Sequence, residues 1–175
     1  EFADGAWIEI AAQPEADGAG DAPVMFSTQG GASGLIAEAA SLDIEFGGWT
    51  STPVFTAGSG NSRLTVTSAQ SATLVGGDAD NTLSGGDGDD TLDGRGGNAL
   101  LPGGAGRDRF VFNAFSEDSF GEDRITDFTT GEDLISLDWA GMAALTDEGG
   151  DLTLDVGDGA ITLDGLGTSD LAAHA

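Results

Sequence analysis

Residues 76–111 read GGDADNTLS, GGDGDDTLD, GRGGNALLP, GGAGRDRFV, four consecutive units of nine. Position 8 of each unit is apolar: Leu83, Leu92, Leu101 and Phe110, with Leu74 one unit earlier in the same phase. Glycine fills position 1 in every unit, and positions 2 and 4 in three of the four. An apolar residue once in nine fits neither an amphipathic helix nor a half-buried strand of ordinary length. It fits a coil that turns one side chain inward per half-turn. The glycines permit positive φ and close backbone approach. The six glycine-rich residues of each unit therefore read as turn, and the three around position 8 as a very short strand. A flexible acidic linker has no reason to keep such a ladder in phase.

Successive turns of such a coil alternate between two edges, so neighbours on one edge lie eighteen residues apart. Asp90 then faces Asp108 on one edge, and Asn81 faces Ala99 on the other. The stack buries little apolar surface per unit, and its turns carry carboxylates that repel one another. A bridging cation is needed. Backbone carbonyls and aspartate oxygens make a hard, all-oxygen site, which suits Ca²⁺. A full site is expected between Asp90 and Asp108 and a poorer one at Asn81, with Asp78, Asp80 and Asp87 available to add oxygens.

The composition agrees. The 175 residues hold 31 acidic side chains against five arginines and no lysine, a net charge of −26. Phosphate contacts need basic groups, so nucleic acid is excluded as a partner. Such self-repulsion destabilises a compact chain unless counterions bind. General salt adaptation would scatter acid over every surface, whereas the acid in 76–93 is in phase with the repeat. Cysteine is absent, which removes disulfide and thiolate chemistry. No stretch is long and apolar enough to span a membrane, and no N-terminal secretory signal is visible. The start at Glu1 without Met reads as a processed product or a fragment.

The rest of the chain reads as β-structure. Short apolar runs at 6–11, 22–27, 34–37, 42–46, 53–56 and 63–67, separated by Gly, Asp and Pro, suggest a small sandwich or partial barrel over residues 1–66. Residues 32–40 also allow a turn or two of helix. Trp7 and Trp49 suit sugar stacking if exposed, and a core if not. Residues 67–75 keep the phase without glycines and have Ala72 at position 6, a capping turn with no ion site. Residues 151–156 and 160–164 alternate around Gly157-Asp158-Gly159, a β-hairpin. Phe110, Phe112, Phe115, Phe128 and Trp139 offer aromatic surface to plug the open end of the coil. The expected architecture is all-β: a parallel β-roll over 67–111, a capping region with a hairpin over 112–175, and a β-rich region over 1–66.

The nonapeptides resemble the RTX (repeats-in-toxin) family. The run GGAGRDRFVF…DRITDFTTGEDLISLD is similar to the C-terminal β-roll of serralysin-type metalloproteases and to the C-terminal modules of secreted alginate epimerases. The likeness covers about residues 67–170. It implies a parallel β-roll with Ca²⁺ in its turns, secretion to the extracellular medium by type I machinery that reads an uncleaved C-terminal signal, and folding only outside the cell. It carries calcium ligands onto the turns Gly85, Gly86, Asp87, Asp89 and Asp90, onto Gly103, Gly104 and Asp108, and more weakly onto Gly76 to Asn81, including Asp78 and Asp80. Glu117 and Asp118 fall where the acid of a further turn is due. Arg95 and Ala99 depart from the pattern at positions of glycine and aspartate. The family's hydrophobic tail is not matched at His174-Ala175.

No catalytic residues are expected. Zinc held by H-E-x-x-H needs two histidines, and this chain has only His174. The expected role is a calcium-dependent folding and secretion module, the non-catalytic part of a larger secreted bacterial protein. The alternative is a calcium-dependent carbohydrate- or cell-surface-binding module, or an adhesin spacer, with a polysaccharide or surface ligand as partner.

Overall fold

A computed structural model describes the backbone of residues 7–11, 24–29, 32–37, 43–47 and 171–172, and residues 52, 54–57, 60–67, 69–113, 120–138, 144–157 and 159–170 with their side chains. In chain order the strands are β1 (Trp7–Ala11), β2 (Val24–Gln29), β3 (Ala32–Ala37), β4 (Asp43–Gly47), β5 (Val54–Thr56), β6 (Arg63–Val66), β7 (Thr73–Val75), β8 (Thr82–Ser84), β9 (Thr91–Asp93), β10 (Arg109–Asn113), β11 (Gly121–Ile125), β12 (Leu134–Asp138), β13 (Ala144–Glu148), β14 (Asp151–Asp155) and β15 (Gly159–Leu163). One short helix, α1 (Thr168–Ala172), follows. The protein is an all-β parallel roll.

The chain alternates between two sheets. One runs β12-β10-β9-β7-β5-β3-β2, the other contains β1-β4-β6-β8, and β11-β15-β14-β13 continues past β8. The link is Leu100, which bridges Thr82 on one side and Arg124 on the other. The pairs β5–β7, β7–β9, β9–β10 and β6–β8 are parallel. The strands β7, β8 and β9 are only three residues long because the next six must turn back.

Position 8 decides what lies inside. In one sheet Phe55, Leu74, Leu92, Phe110 and Ile135 align in register. In the other, Leu64 aligns with Leu83, and Ile125 with Leu163. Leu64, Leu74, Leu83, Leu92, Leu101, Phe110 and Ile125 are all fully buried. Residues at positions 7 and 9, such as Thr82 and Ser84, are half-buried and flank the inward leucine.

The sheets do not break at 66/67. The strands β5 and β6 pair in parallel with β7 and β8 and belong to the same stack. Residues 32–37, open to a helical reading, form a strand. The side chains of Trp7 and Trp49 lie outside the described residues, as do Phe115 and Trp139. The hairpin of β14 and β15 forms as expected, and β13 adds a third antiparallel strand. Phe110 packs on Phe128 with ring centroids 6.1 Å apart, and Phe112 on Phe120 at 5.5 Å. Phe110, Phe112 and Phe120 belong to the buried core, and Phe128 packs against it. Arg124 ties the hairpin to β11 through Asp151 (3.0 Å) and Asp164 (2.7 Å).

Leu92 sits between Leu74 and Phe110 with none of its surface exposed. Leu92→Ala opens a cavity that a three-residue strand cannot close by shifting. The expected loss is about 2–5 kcal/mol, read from urea unfolding at saturating calcium.

Candidate metal centre

Two rows of turns line the two edges. The rows are 76–81 and 94–99 on one edge, and 67–72, 85–90, 103–108 and 126–133 on the other. Within the second row the position-6 carboxylates form a ladder. Asp90 Oδ1 accepts from Ala72 N–H (2.6 Å), Asp108 Oδ1 from Asp90 N–H (2.9 Å), and Asp133 Oδ1 from Asp108 N–H (2.8 Å). Each carboxylate thus stitches its turn to the preceding one. The face-to-face placement of Asp90 and Asp108, expected from the eighteen-residue interval, is what the structure holds.

The second oxygen of each is the telling atom. Asp90 Oδ2 and Asp108 Oδ2 are buried and accept no hydrogen bond. Asp90 and Asp108 are 1% and 2% exposed. A buried ionised oxygen without a partner is costly. Gly85 shows where Asp90 Oδ2 points. A methyl group at Gly85 would come within 2.5 Å of both Asp90 Oδ2 and the Gly103 carbonyl oxygen. A carboxylate oxygen and a carbonyl of the next turn therefore converge on one bare glycine. Position 2 has a different demand. Gly86 and Gly104 have φ of 97° and 101°, and Arg95, in the same place of the third unit, is forced to 58°.

Around this core the turns are joined by further acidic acceptors. Asp89 Oδ1 accepts from Arg107 N–H (2.9 Å), and Asp127 takes Gly103 and Gly104 N–H through its two oxygens, each at 2.9 Å. On the first edge Asp80 Oδ1 accepts from Asn98 N–H at 2.8 Å. Asp78, Asp80, Asp87 and Asp89 all face solvent. Gly76 is buried beneath the Gly94 carbonyl. Glu117 and Asp118 lie outside the described residues.

Asp123, Asp127 and Asp133 were not singled out as ligands from sequence. Asp123 is 1% exposed, its Oδ1 accepts from Ala99 N–H (2.7 Å), and its Oδ2 has no partner. It does for the 94–99 turn what Asp90 does for 67–72. The interval to its partner is 24 residues instead of 18, so counting by eighteen passes over it. The D-x-I-x-D-F-x-x-G-x-D run, with acids at 123, 127 and 133, was the available signal.

The electrostatics follow from burial. Burial pushes Asp90 up to about 7 against the N–H bond from Ala72, with Asp108 and Asp89 adding repulsion. Burial likewise lifts Asp108 to about 6, with Asp133, Asp127 and Asp89 as acidic neighbours. Asp123 rises to about 8, again by burial first and then by Asp93. Among the described residues the ion pairs are those of Arg124 with Asp151 and Asp164, so no basic side chain there neutralises these three. Nor do three His, Cys, Asp or Glu side chains meet at one point among the described residues. A cation would be held by one or two carboxylates with backbone carbonyls, which is hard oxygen chemistry suited to Ca²⁺. The orphaned Oδ2 atoms and the glycine cradle fit that ion.

Residues 68–101 match the family model of the RTX calcium-binding nonapeptide repeat (4 copies). This segment is an RTX calcium-binding domain. The match takes in the 67–72 turn almost whole and stops before the 103–108 turn, whose place in the stack rests on its geometry. No curated protein matches the chain.

The raised carboxylates set a pH dependence with a definite sign. Their ordinary value is 3.8, and the folded chain holds them near 6 to 8. Between those limits the folded state binds more protons than the unfolded one, so calcium-free stability falls as pH rises. In calcium-free buffer the folded fraction, and with it any melting temperature, is expected to climb as pH is lowered from 8 to 5. At saturating calcium the climb is expected to vanish, because the ion holds these groups ionised. Differential scanning calorimetry at both conditions checks this.

Proposed function

We propose that the RTX domain of this chain is the calcium-dependent folding element of an exported, extracellular protein, kept open at low cytosolic calcium and closed outside the cell. The observation that carries the reading is the pair of buried, unpartnered oxygens, Asp90 Oδ2 and Asp108 Oδ2, on adjacent turns of one edge. Without a cation they oppose the fold, and with one they hold it. The mechanism is linkage. An ion that binds only the folded chain stabilises it by about 2.7 kcal/mol per site at one hundred times its Kd. Extracellular calcium modules bind at about 10⁻⁴–10⁻³ M, so such a chain folds at external and not at cytosolic calcium.

In this reading Gly85–Asp90 and Gly103–Asp108 hold the ion, with Asp127 and Asp133 closing the last turn. The module is read as non-catalytic: Asp89 and Asp108 are engaged in turn-to-turn bonds, and the one histidine of the sequence is His174. The similarity of residues 103–138 to the serralysin-type β-roll supports export by type I secretion machinery.

A calcium titration followed by far-UV circular dichroism tests the proposal. The expected result is a cooperative gain of β-signal with Ca²⁺, reversed by EGTA and not reproduced by Mg²⁺ or NaCl. Asp108→Asn, which removes one charged ligand worth about 1.5–3 kcal/mol, is expected to raise the calcium midpoint roughly tenfold or more. A chain fully folded in EGTA, or equally rescued by NaCl, overturns the reading.

A further inference from the structure

The cradles at Gly85 and Gly76 face different groups. On the second edge a methyl at Gly85 would meet the Gly103 carbonyl and Asp90 Oδ2; on the first, a methyl at Gly76 would meet the Gly94 carbonyl and Asn81 Nδ2. The two cradles are equivalent, and Asn81 Nδ2 stands where Asp90 Oδ2 stands. Asn81 is 2% exposed, and its orientation is settled by its neighbours. Its Oδ1 accepts from Ser62 N–H at 3.1 Å, the same stitch that Asp90 makes to Ala72. Its Nδ2 donates to the Ala79 carbonyl (2.5 Å) and to the Gly77 carbonyl (3.4 Å). Turning the amide over would set an oxygen against two carbonyls and a nitrogen against an N–H.

We infer that Asn81 is a built-in substitute for a cation: its amide hydrogens satisfy the turn carbonyls that a metal ion would otherwise bind, so the gap between turns 76–81 and 94–99 closes without calcium. The inference rests on the calcium reading of the opposite edge. Three observations carry it. The carbonyls of Gly77 and Ala79 are engaged by Nδ2. The Asn81 side chain leaves no buried orphan atom, unlike Asp90, Asp108 and Asp123. The facing turn offers Ala99 at position 6, which has no side-chain oxygen to give. An amide N–H₂ pointing into the cradle repels a cation where a carboxylate attracts one. The stretch 76–81 is acidic in composition, yet its position-6 group is electropositive toward the site. The RTX segment therefore takes up fewer ions on folding than its count of turns suggests.

The test uses the full chain and two variants, Asn81→Asp and Asn81→Ala. Thermal unfolding is followed across free calcium concentrations, and the slope of stability against log calcium gives the number of ions taken up on folding. Native mass spectrometry counts them independently. Asn81→Asp restores the cradle oxygen and is expected to add one ion to the slope and the count. Asn81→Ala is expected to lower the melting temperature by a constant offset, with slope and count unchanged. If Asn81 is instead a calcium ligand, Asn81→Ala loses one ion and Asn81→Asp adds none, and either result overturns the inference. Should Asn81→Asp fail to fold, Asn81→Ala alone decides. A wild-type chain that binds no calcium sinks the calcium reading, whereas one that binds calcium with an ion lost in Asn81→Ala sinks only this inference.

Discussion

A carboxylate that is half satisfied and wholly buried is the constraint on which this structure turns. In Asp90, Asp108 and Asp123 one oxygen is spent on the backbone N–H of the neighbouring turn. The other is shut away with no protein partner. A lysine or arginine reaching in would be the usual remedy, but the chain has no lysine. Among the described residues Arg124 is committed to Asp151 and Asp164. The positive charge must come from outside. The bare glycines at the cradle follow from the same need, because any Cβ there would stand in the place where the oxygens converge.

On the proposed reading the stack itself depends on that charge. Each nine-residue unit adds one short strand and one inward apolar side chain to one of the two sheets. That is little hydrophobic burial against the conformational entropy of nine ordered residues. Contacts in such a solenoid run between neighbouring rungs, so stability is close to a sum of local terms. The turns then decide whether a rung forms at all. Beyond the repeats the logic changes. Five-residue strands, paired phenylalanines and a hairpin pinned by Arg124 make an end that ordinary packing can hold.

How much of this was legible depended on whether spacing or partnership carried the signal. The inward ladder, the two edges and the Asp90–Asp108 pair follow from the period alone, because a strict interval of nine leaves one geometry for Leu74, Leu83, Leu92, Leu101 and Phe110. Residues 54–66 pair with the roll at intervals of 19, as from Val54 to Thr73 and from Arg63 to Thr82. They read as a separate β-region because one extra residue breaks the phase while leaving the pairing possible. Asp123 and Asp133 escaped for the opposite reason. Their partners are 24 and 25 residues away, since the turns there are longer. Hydrogen bonding recognises a carboxylate in place, and no periodic count does.

The third unit separates two jobs that the other units combine. Position 8 keeps its leucine, Leu101, and the rung stays in register between Leu83 and Ile125. Position 2 has become Arg95, at φ 58°, a conformation that costs a side-chain-bearing residue about 1–2 kcal/mol. Position 6 has become Ala99, and a methyl at Gly94 would touch both Ala99 Cβ and Asp123 Oδ2. The carboxylate of the following turn thus leans into the space left by the missing one. The rung lacks the stitch that its own acid would make to the preceding turn and is joined there by Asn98 N–H to Asp80 Oδ1 and Gly96 N–H to the Gly77 carbonyl, while Asp123 makes the next stitch, to the Ala99 N–H. Core position and ion position are therefore under independent demands: the first must be apolar in every rung, and the second need only leave no N–H and no carbonyl without a partner. On the proposed reading aspartate meets that demand with a cation and asparagine with its own amide.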